Sequence, residues 1–210
     1  MKSAALAVSL IASPLAAREG QKQILAASET NEAQSHSDLN GDGLTDVAYI
    51  APGEDKRELR VVISYVSETD FGETPAQIHT LDPDLLGDAS LVVKNSVLML
   101  RDLTGGTTAV VSTHRFRWDA KLGAMRLIRL NATLYSRTYT HDGHEASWNL
   151  LTGTLVNRTM RLNKGQGDAA YAKVGEKRSK KPSRSLQLED APSGGDLLGW
   201  FCGSRSGEQE

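Results

Sequence analysis

The chain is almost without cysteine: of its 210 residues only Cys202, near the C-terminus, carries a thiol. One thiol cannot close an internal disulfide, which leaves a free thiol, a mixed disulfide or a covalent dimer. No His or basic cluster sits beside it in sequence to lower its pKa, so a nucleophilic role is not expected. An excess of one charge is also lacking. Lys and Arg number 24 against 26 Asp and Glu, a formal net charge of −2, and a chain without a global basic field is not expected to bind nucleic acid non-specifically as its main task. Past the first residues no apolar run reaches membrane-spanning length, so no transmembrane segment is expected. Catalytic signatures are missing too. There is no Gly-x-Ser-x-Gly elbow, no Cys-His motif and no Ser-x-x-Lys in a recognisable setting, and Gly105-Gly106 lacks the Lys-Ser or Lys-Thr of a phosphate-cradling loop. A sustained apolar stripe at 3.6-residue spacing is absent, which excludes a helical core.

What is present starts at the N-terminus. Met1-Lys2-Ser3 precedes the apolar run Ala4 to Ala17, which stops abruptly at Arg18-Glu19. A positive start, a short apolar stretch and small residues before the break read as a secretory signal peptide over residues 1–17. The protein is therefore expected to be exported, periplasmic or extracellular. No Cys follows the apolar run, so a lipid anchor is not supported.

The stretch around which the rest is organised is Asp38-Leu-Asn40-Gly-Asp42-Gly43-Leu44-Thr-Asp46. Oxygen-bearing side chains stand at loop positions 1, 3 and 5, Gly43 supplies the sharp turn at 6, Leu44 offers a backbone carbonyl at 7, and Asp46 stands at 9. This is a calcium-type loop. The expected metal set is Asp38, Asn40, Asp42, Leu44 and Asp46, with Ca²⁺ as a structural ion. Position 12 is Tyr49, so the bidentate Glu of an EF-hand is missing, and Val47 to Ala51 is β-prone where an EF-hand starts a helix. Without that Glu the affinity belongs to the extracellular range of roughly 10⁻⁴ to 10⁻³ M, unless Asp55 or Asp70 folds in.

Here the sequence resembles the calcium loops of FG-GAP and VCBS-type repeats, in which such a segment caps a β-strand. Together with Thr113-His-Arg-Phe-Arg-Trp118, Met125-Arg-Leu-Ile128 and Ser147-Trp-Asn-Leu-Leu-Thr-Gly153, the loop resembles small exported bacterial proteins that join one Asp-rich loop to a run of β-hairpins. That resemblance spans roughly residues 20 to 160 and implies no particular activity. Only one copy of the loop is present, and one blade cannot close a propeller.

The remaining pattern is that of strands. Val47–Ala51 and Glu58–Val66 flank a turn at Pro52–Asp55. Gln77–Leu81, Ser90–Leu100, Thr107–Trp118, Ala124–Tyr135, Ala146–Gly153 and Thr154–Met160 follow, punctuated by Asn95-Ser96, Gly105-Gly106, Asp142-Gly143 and Thr152-Gly153. In the run to Trp118, Val110, Ser112, His114, Phe116 and Trp118 share one face, with Thr113, Arg115 and Arg117 on the other. The expected fold class is mainly β, an antiparallel, hairpin-rich sheet or sheets with little helix beyond the signal segment. Residues 18–163 are expected to form this domain and 164–210 a basic, largely flexible tail, because Lys173, Lys177, Arg178, Lys180, Lys181 and Arg184 face one acid, Glu176. Leu197-Leu-Gly-Trp200-Phe201 is an apolar knot able to dock back on the domain.

The function expected from these features is a calcium-stabilised binding or interaction module with a protein or envelope-polymer partner. The alternatives are an envelope-polymer hydrolase using acids with His141 or His144, and a periplasmic inhibitor or partner-binding protein. His141-Asp142-Gly143-His144 has too few ligands at recognised spacing for a zinc or copper site.

Overall fold

The computed structural model describes residues 31–52, 56–163, 165, 170–182 and 184–202. Residues 1–17, expected to be a signal peptide, residues 18–30 and Asp55 lie outside the described residues. In chain order the strands are β1 (Ala33–Ser37), β2 (Asp46–Pro52), β3 (Arg57–Val62), β4 (Ser64–Val66), β5 (Phe71–Glu73), β6 (Gln77–Leu81), β7 (Ser90–Lys94), β8 (Val97–Gly105), β9 (Thr108–Asp119), β10 (Ala124–Ser136), β11 (Gly143–Asn149), β12 (Thr154–Leu162) and β13 (Tyr171–Lys180), followed by a helix, α1 (Gly194–Cys202). A four-stranded sheet has the order β1-β2-β3-β6, and β4 pairs with β5. Strands β7 to β13 follow one another as a seven-stranded sheet. Every pairing is antiparallel.

Two-residue alternation decides which side of each strand is wet. On β9, Ser112, His114 and Phe116 are buried, and on β8 so are Leu98, Leu100 and Asp102. The four-stranded sheet turns Ala48, Ile50, Leu59, Val61 and Leu81 into the same apolar cluster, and α1 adds Leu197 and Leu198. One face of the seven-stranded sheet is thus covered by the smaller sheet and by α1. This answers how a lone blade buries its apolar side: it packs on the meander. At roughly 1.5–3 kcal/mol per fully buried aliphatic side chain, such a shared cluster is the main favourable contribution to folding.

A one-residue irregularity in β10 sets which side chains reach that core. The register with β9 shifts between Leu127 and Arg129, so Leu127 and Leu130, three apart, are both fully buried. A bulge of this kind reverses the alternation on either side of the extra residue.

The hairpin turns fall as the turn chemistry predicts at Asn95-Ser96, where both residues have positive φ (53° and 55°), and at Gly105 and Gly153. Asp142-Gly143 is different: the turn occupies residues 137–142 and Gly143 starts β11. A Cβ there would stand 2.9 Å from the Leu134 carbonyl oxygen and 3.3 Å from Cε1 of Tyr171, so close packing, and not a turn, demands this glycine.

The C-terminal part departs most from expectation. Instead of a flexible tail, Tyr171–Lys180 runs as β13 along β12. It is an edge strand, and its lysines and arginines are what an edge carries to discourage pairing with other chains. Farther on, the Leu127 N–H donates to Leu186 O and the Leu188 N–H to Met125 O, both at 2.9 Å, so residues 186–188 flank β10 where β11 does not reach. The helix is capped by Ser193, whose Oγ accepts from the Asp196 N–H at 3.0 Å while Asp196 Oδ2 accepts from the Ser193 N–H at 3.0 Å.

Candidate metal loop

The loop between β1 and β2 is held by its own oxygens. Asp38 Oδ1 accepts from the Gly41 N–H at 2.6 Å and its Oδ2 from the Gly43 N–H at 3.0 Å. Asn40 Oδ1 accepts from the Asp42 N–H at 3.0 Å, Asp42 Oδ1 from the Leu44 N–H at 2.8 Å, and Asn40 Nδ2 donates to Asp42 Oδ2 at 2.8 Å. Gly41 and Gly43 have φ of 84° and 85°, a conformation that favours glycine. Such side-chain capture of nearby N–H groups is what short Asx side chains do in turns.

Asp46 plays a different part. Its side chain is fully buried, with Oδ2 accepting from the Leu39 N–H at 2.7 Å and Oδ1 from the Ser64 N–H at 2.9 Å. It therefore ties the start of the loop to the point where the chain leaves β3. The Ser64 hydroxyl donates to Thr45 O at 2.8 Å, and together these bonds end the sheet pairing at Ile63. That is why the expected single strand over residues 58–66 is two, β3 and β4. Burial pushes the Asp46 carboxyl above its ordinary pKa against the pull of these N–H donors, and the negative charge of Asp42 adds to the rise.

The donor set fits a hard cation in chemistry, since Asp38, Asn40, Asp42, the Leu44 carbonyl and Asp46 are all oxygen donors. The negative charge of Asp42 acting on buried Asp46 is the kind a divalent cation offsets. Convergence is less complete. Among the described residues no group of three His, Cys, Asp or Glu side chains stands together as a ready metal cluster. Asp70 does not fold in: its Oδ1 accepts from the Phe71 N–H at 2.8 Å in the β4–β5 turn.

The other candidate groups are separate. The His141 Nδ1 is 2.7 Å from Asp142 O and its Nε2 is 2.9 Å from Thr108 Oγ1, while His144 is exposed on β11. Cys202 ends α1.

Two buried constellations escaped the sequence. Arg57 on β3 donates from Nε to Glu32 Oε2 at 2.8 Å, from Nη1 to Asp82 O at 2.9 Å and from Nη2 to Asp102 Oδ1 on β8 at 3.1 Å, joining the two sheets through a charged knot. Burial acts to raise Glu32, but the Arg57 guanidinium and the Ala89 N–H leave it below its ordinary value, whereas burial keeps Asp102 above its own. Nothing in the spacing of Glu32, Arg57 and Asp102 announces this contact. The second is His79 on β6 against His114 on β9, ring centroids 5.2 Å apart, with His114 stacked at 5.9 Å on Phe116.

Against known proteins, residues 35–72 match the FG-GAP repeat. The matched span runs from β1 to β5 and contains the whole acidic loop. No curated protein and no solved structure matches the chain. The protein is therefore a β-rich chain carrying an FG-GAP repeat, packed on a seven-stranded antiparallel sheet.

Proposed function

We propose that the protein is an exported β-domain that binds calcium in the loop of its FG-GAP repeat and acts as a binding or interaction module. The single observation that supports this most is the coincidence of the repeat with the acidic loop: its residues 35–72 include all of Asp38, Asn40, Asp42, Leu44 and Asp46. An ion at this loop would brace β1 and β2 against the chain at Ser64, because Asp46 already links those points. Its role is structural. Export is consistent with it, since sites of modest affinity fill where calcium is abundant, and among the described residues no helix is long and apolar enough to cross a membrane.

The test is a thermal melt of the protein lacking residues 1–17, with about millimolar calcium and with chelator. At the affinity expected for such a loop the gain is only about 0.4–1.4 kcal/mol, which moves the midpoint up by a few degrees. Superimposable curves would remove the calcium reading.

A further inference from the structure

One face of the seven-stranded sheet is covered by the core; the opposite face is covered by none of the described residues, and it is strongly cationic. Arg101 on β8, Arg115 and Arg117 on β9 and Arg129 on β10 point away from the core, as the burial of their neighbours Leu100, His114, Phe116 and Leu130 requires. None of the four has an acidic partner among the described residues. The acids on this face, Glu145 and Glu176, are taken by Arg158 on β12, and Asp119 is taken by Arg126. Arg129 reaches only the neutral Asn131 Oδ1 and Ser147 Oγ, at 3.2 Å each.

This arrangement works against the fold. Arg115 and Arg129 are directly opposite in the β9–β10 register, and like charges so placed repel. Burial and then the charge of Arg129 depress the Arg115 guanidinium, and its buried Nη1 has no hydrogen-bond partner. A chain of net charge −2 has acids to spare for this cluster and does not supply them.

Beside the cluster, on the same face, lies a cavity of about 500 Å³ lined among others by Arg101, Arg137, Thr133, Tyr135, Tyr139 and Tyr171. Tyr171 is fixed there: the Ser136 N–H donates to its hydroxyl at 2.8 Å and the hydroxyl donates to His141 O at 3.2 Å. Tyr139, half exposed, sits in the β10–β11 turn with φ of 56°, a left-handed conformation that is uncommon for an aromatic residue and concentrates at ligand sites.

From these features we infer that this face binds an anionic polysaccharide of the uronate class, with the arginine row on the carboxylates and the tyrosine-rimmed cavity holding a sugar ring. Guanidinium forks match carboxylates in geometry. Tyrosine offers a flat apolar body with a polar tip, suited to a ring that is apolar on its face and hydroxylated at its edge. The inference gives the binding module proposed above its ligand class and rests on that reading of the role, but it uses no residue of the acidic loop.

The experiment is calorimetric titration of the chain with oligogalacturonate in the presence of chelator, with dextran and a single-stranded DNA oligonucleotide as comparison ligands. Binding is expected to the uronate and not to dextran, and to fade at high salt. Arg101→Gln, at an exposed position, and the double variant Arg115→Gln, Arg129→Gln are each expected to weaken it by about tenfold, the scale of a lost charge-assisted contact, the first melting as the unaltered chain does and the second no lower, since it removes a like-charge pair. No uronate binding, equal affinity for dextran, tighter binding to the DNA, or unchanged affinity in both variants would overturn the assignment. Because calcium is chelated, uronate binding would stand even if calcium left the melt unmoved, and a calcium shift without uronate binding would refute this inference alone.

Discussion

Acidification should destabilise this protein through two histidines. His79 and His114 are 3% and 2% exposed. His114 meets the Pro192 carbonyl through Nε2 at 2.9 Å; that oxygen can only accept, so Nε2 carries the proton and Nδ1, which has no partner, does not. Burial first, and then the charge of His114, takes the His79 pKa down to about 3. Burial takes His114 down to about 4, although the Pro192 carbonyl acts the other way. In the unfolded chain both titrate near 6.5. A folded pKa below the unfolded one means the unfolded chain takes up the proton first. The stability is whole above about pH 6.5 and drains away as the pH falls toward the folded values. Each residue then loses about 1.4 kcal/mol per pH unit, which by pH 5 comes to about 2 kcal/mol each and about 4 kcal/mol for the pair. Against a typical total of about 5–15 kcal/mol that is a large share. Raised carboxyls such as Asp46 and Asp102 work in the opposite direction, so the pair must be isolated by difference. Urea unfolding of the wild type and of the double variant His79→Leu, His114→Gln, at about pH 7.5 and about pH 5, does this; the Gln amide can still donate to Pro192. The wild type should lose about 4 kcal/mol more than the variant over that interval. Equal losses, within about 1 kcal/mol, would refute the reasoning.

Two further outcomes follow from the packing. Arg57→Met leaves Glu32 and Asp102 buried without their guanidinium and should cost about 3–5 kcal/mol in a urea melt, part of which returns when both acids are also made amides. Gly194→Ala brings a Cβ to 2.6 Å from Ser112 Cβ, forcing α1 off β9; a loss of about 1–3 kcal/mol is expected, relieved by Ser112→Gly in the same chain.

The fold was legible where side chains alternate plainly and turns carry their own chemistry. Ser112, His114 and Phe116 could be assigned to the core from period two alone, and Asn95-Ser96 marks its hairpin because both residues must take positive φ. His114 shares its face with Phe116 in that alternation, and its Nε2 meets the Pro192 carbonyl in the core. β13 was not legible because an edge strand exposed on both sides has no alternation to read, and its charges are those of a solvated segment. The helix has a faint signal in the sequence: Ser193-Gly-Gly-Asp196 is a capping box before Leu197-Leu198, obscured by two glycines and by its distance from the other elements. The bulge at Ile128 left no trace in composition, yet it is what lets Leu127 and Leu130 both reach the core. The charged knot around Arg57 joins residues far apart in the chain, and its three members look like surface residues wherever they are read singly. Within the loop, the spacing of the oxygen-bearing residues is plain in the sequence. The burial of Asp46 and its grip on Ser64 are not, because they depend on where β3 ends.

Calcium binding by the loop between β1 and β2 is tested most directly by equilibrium dialysis of the protein against calcium. About one ion per chain should be held with a dissociation constant of roughly 10⁻⁴ to 10⁻³ M, and Asp42→Ala should abolish that uptake while leaving the chain folded. No calcium retained at about 2 mM free ion, a concentration at or above that range, or full uptake by Asp42→Ala, would contradict the account.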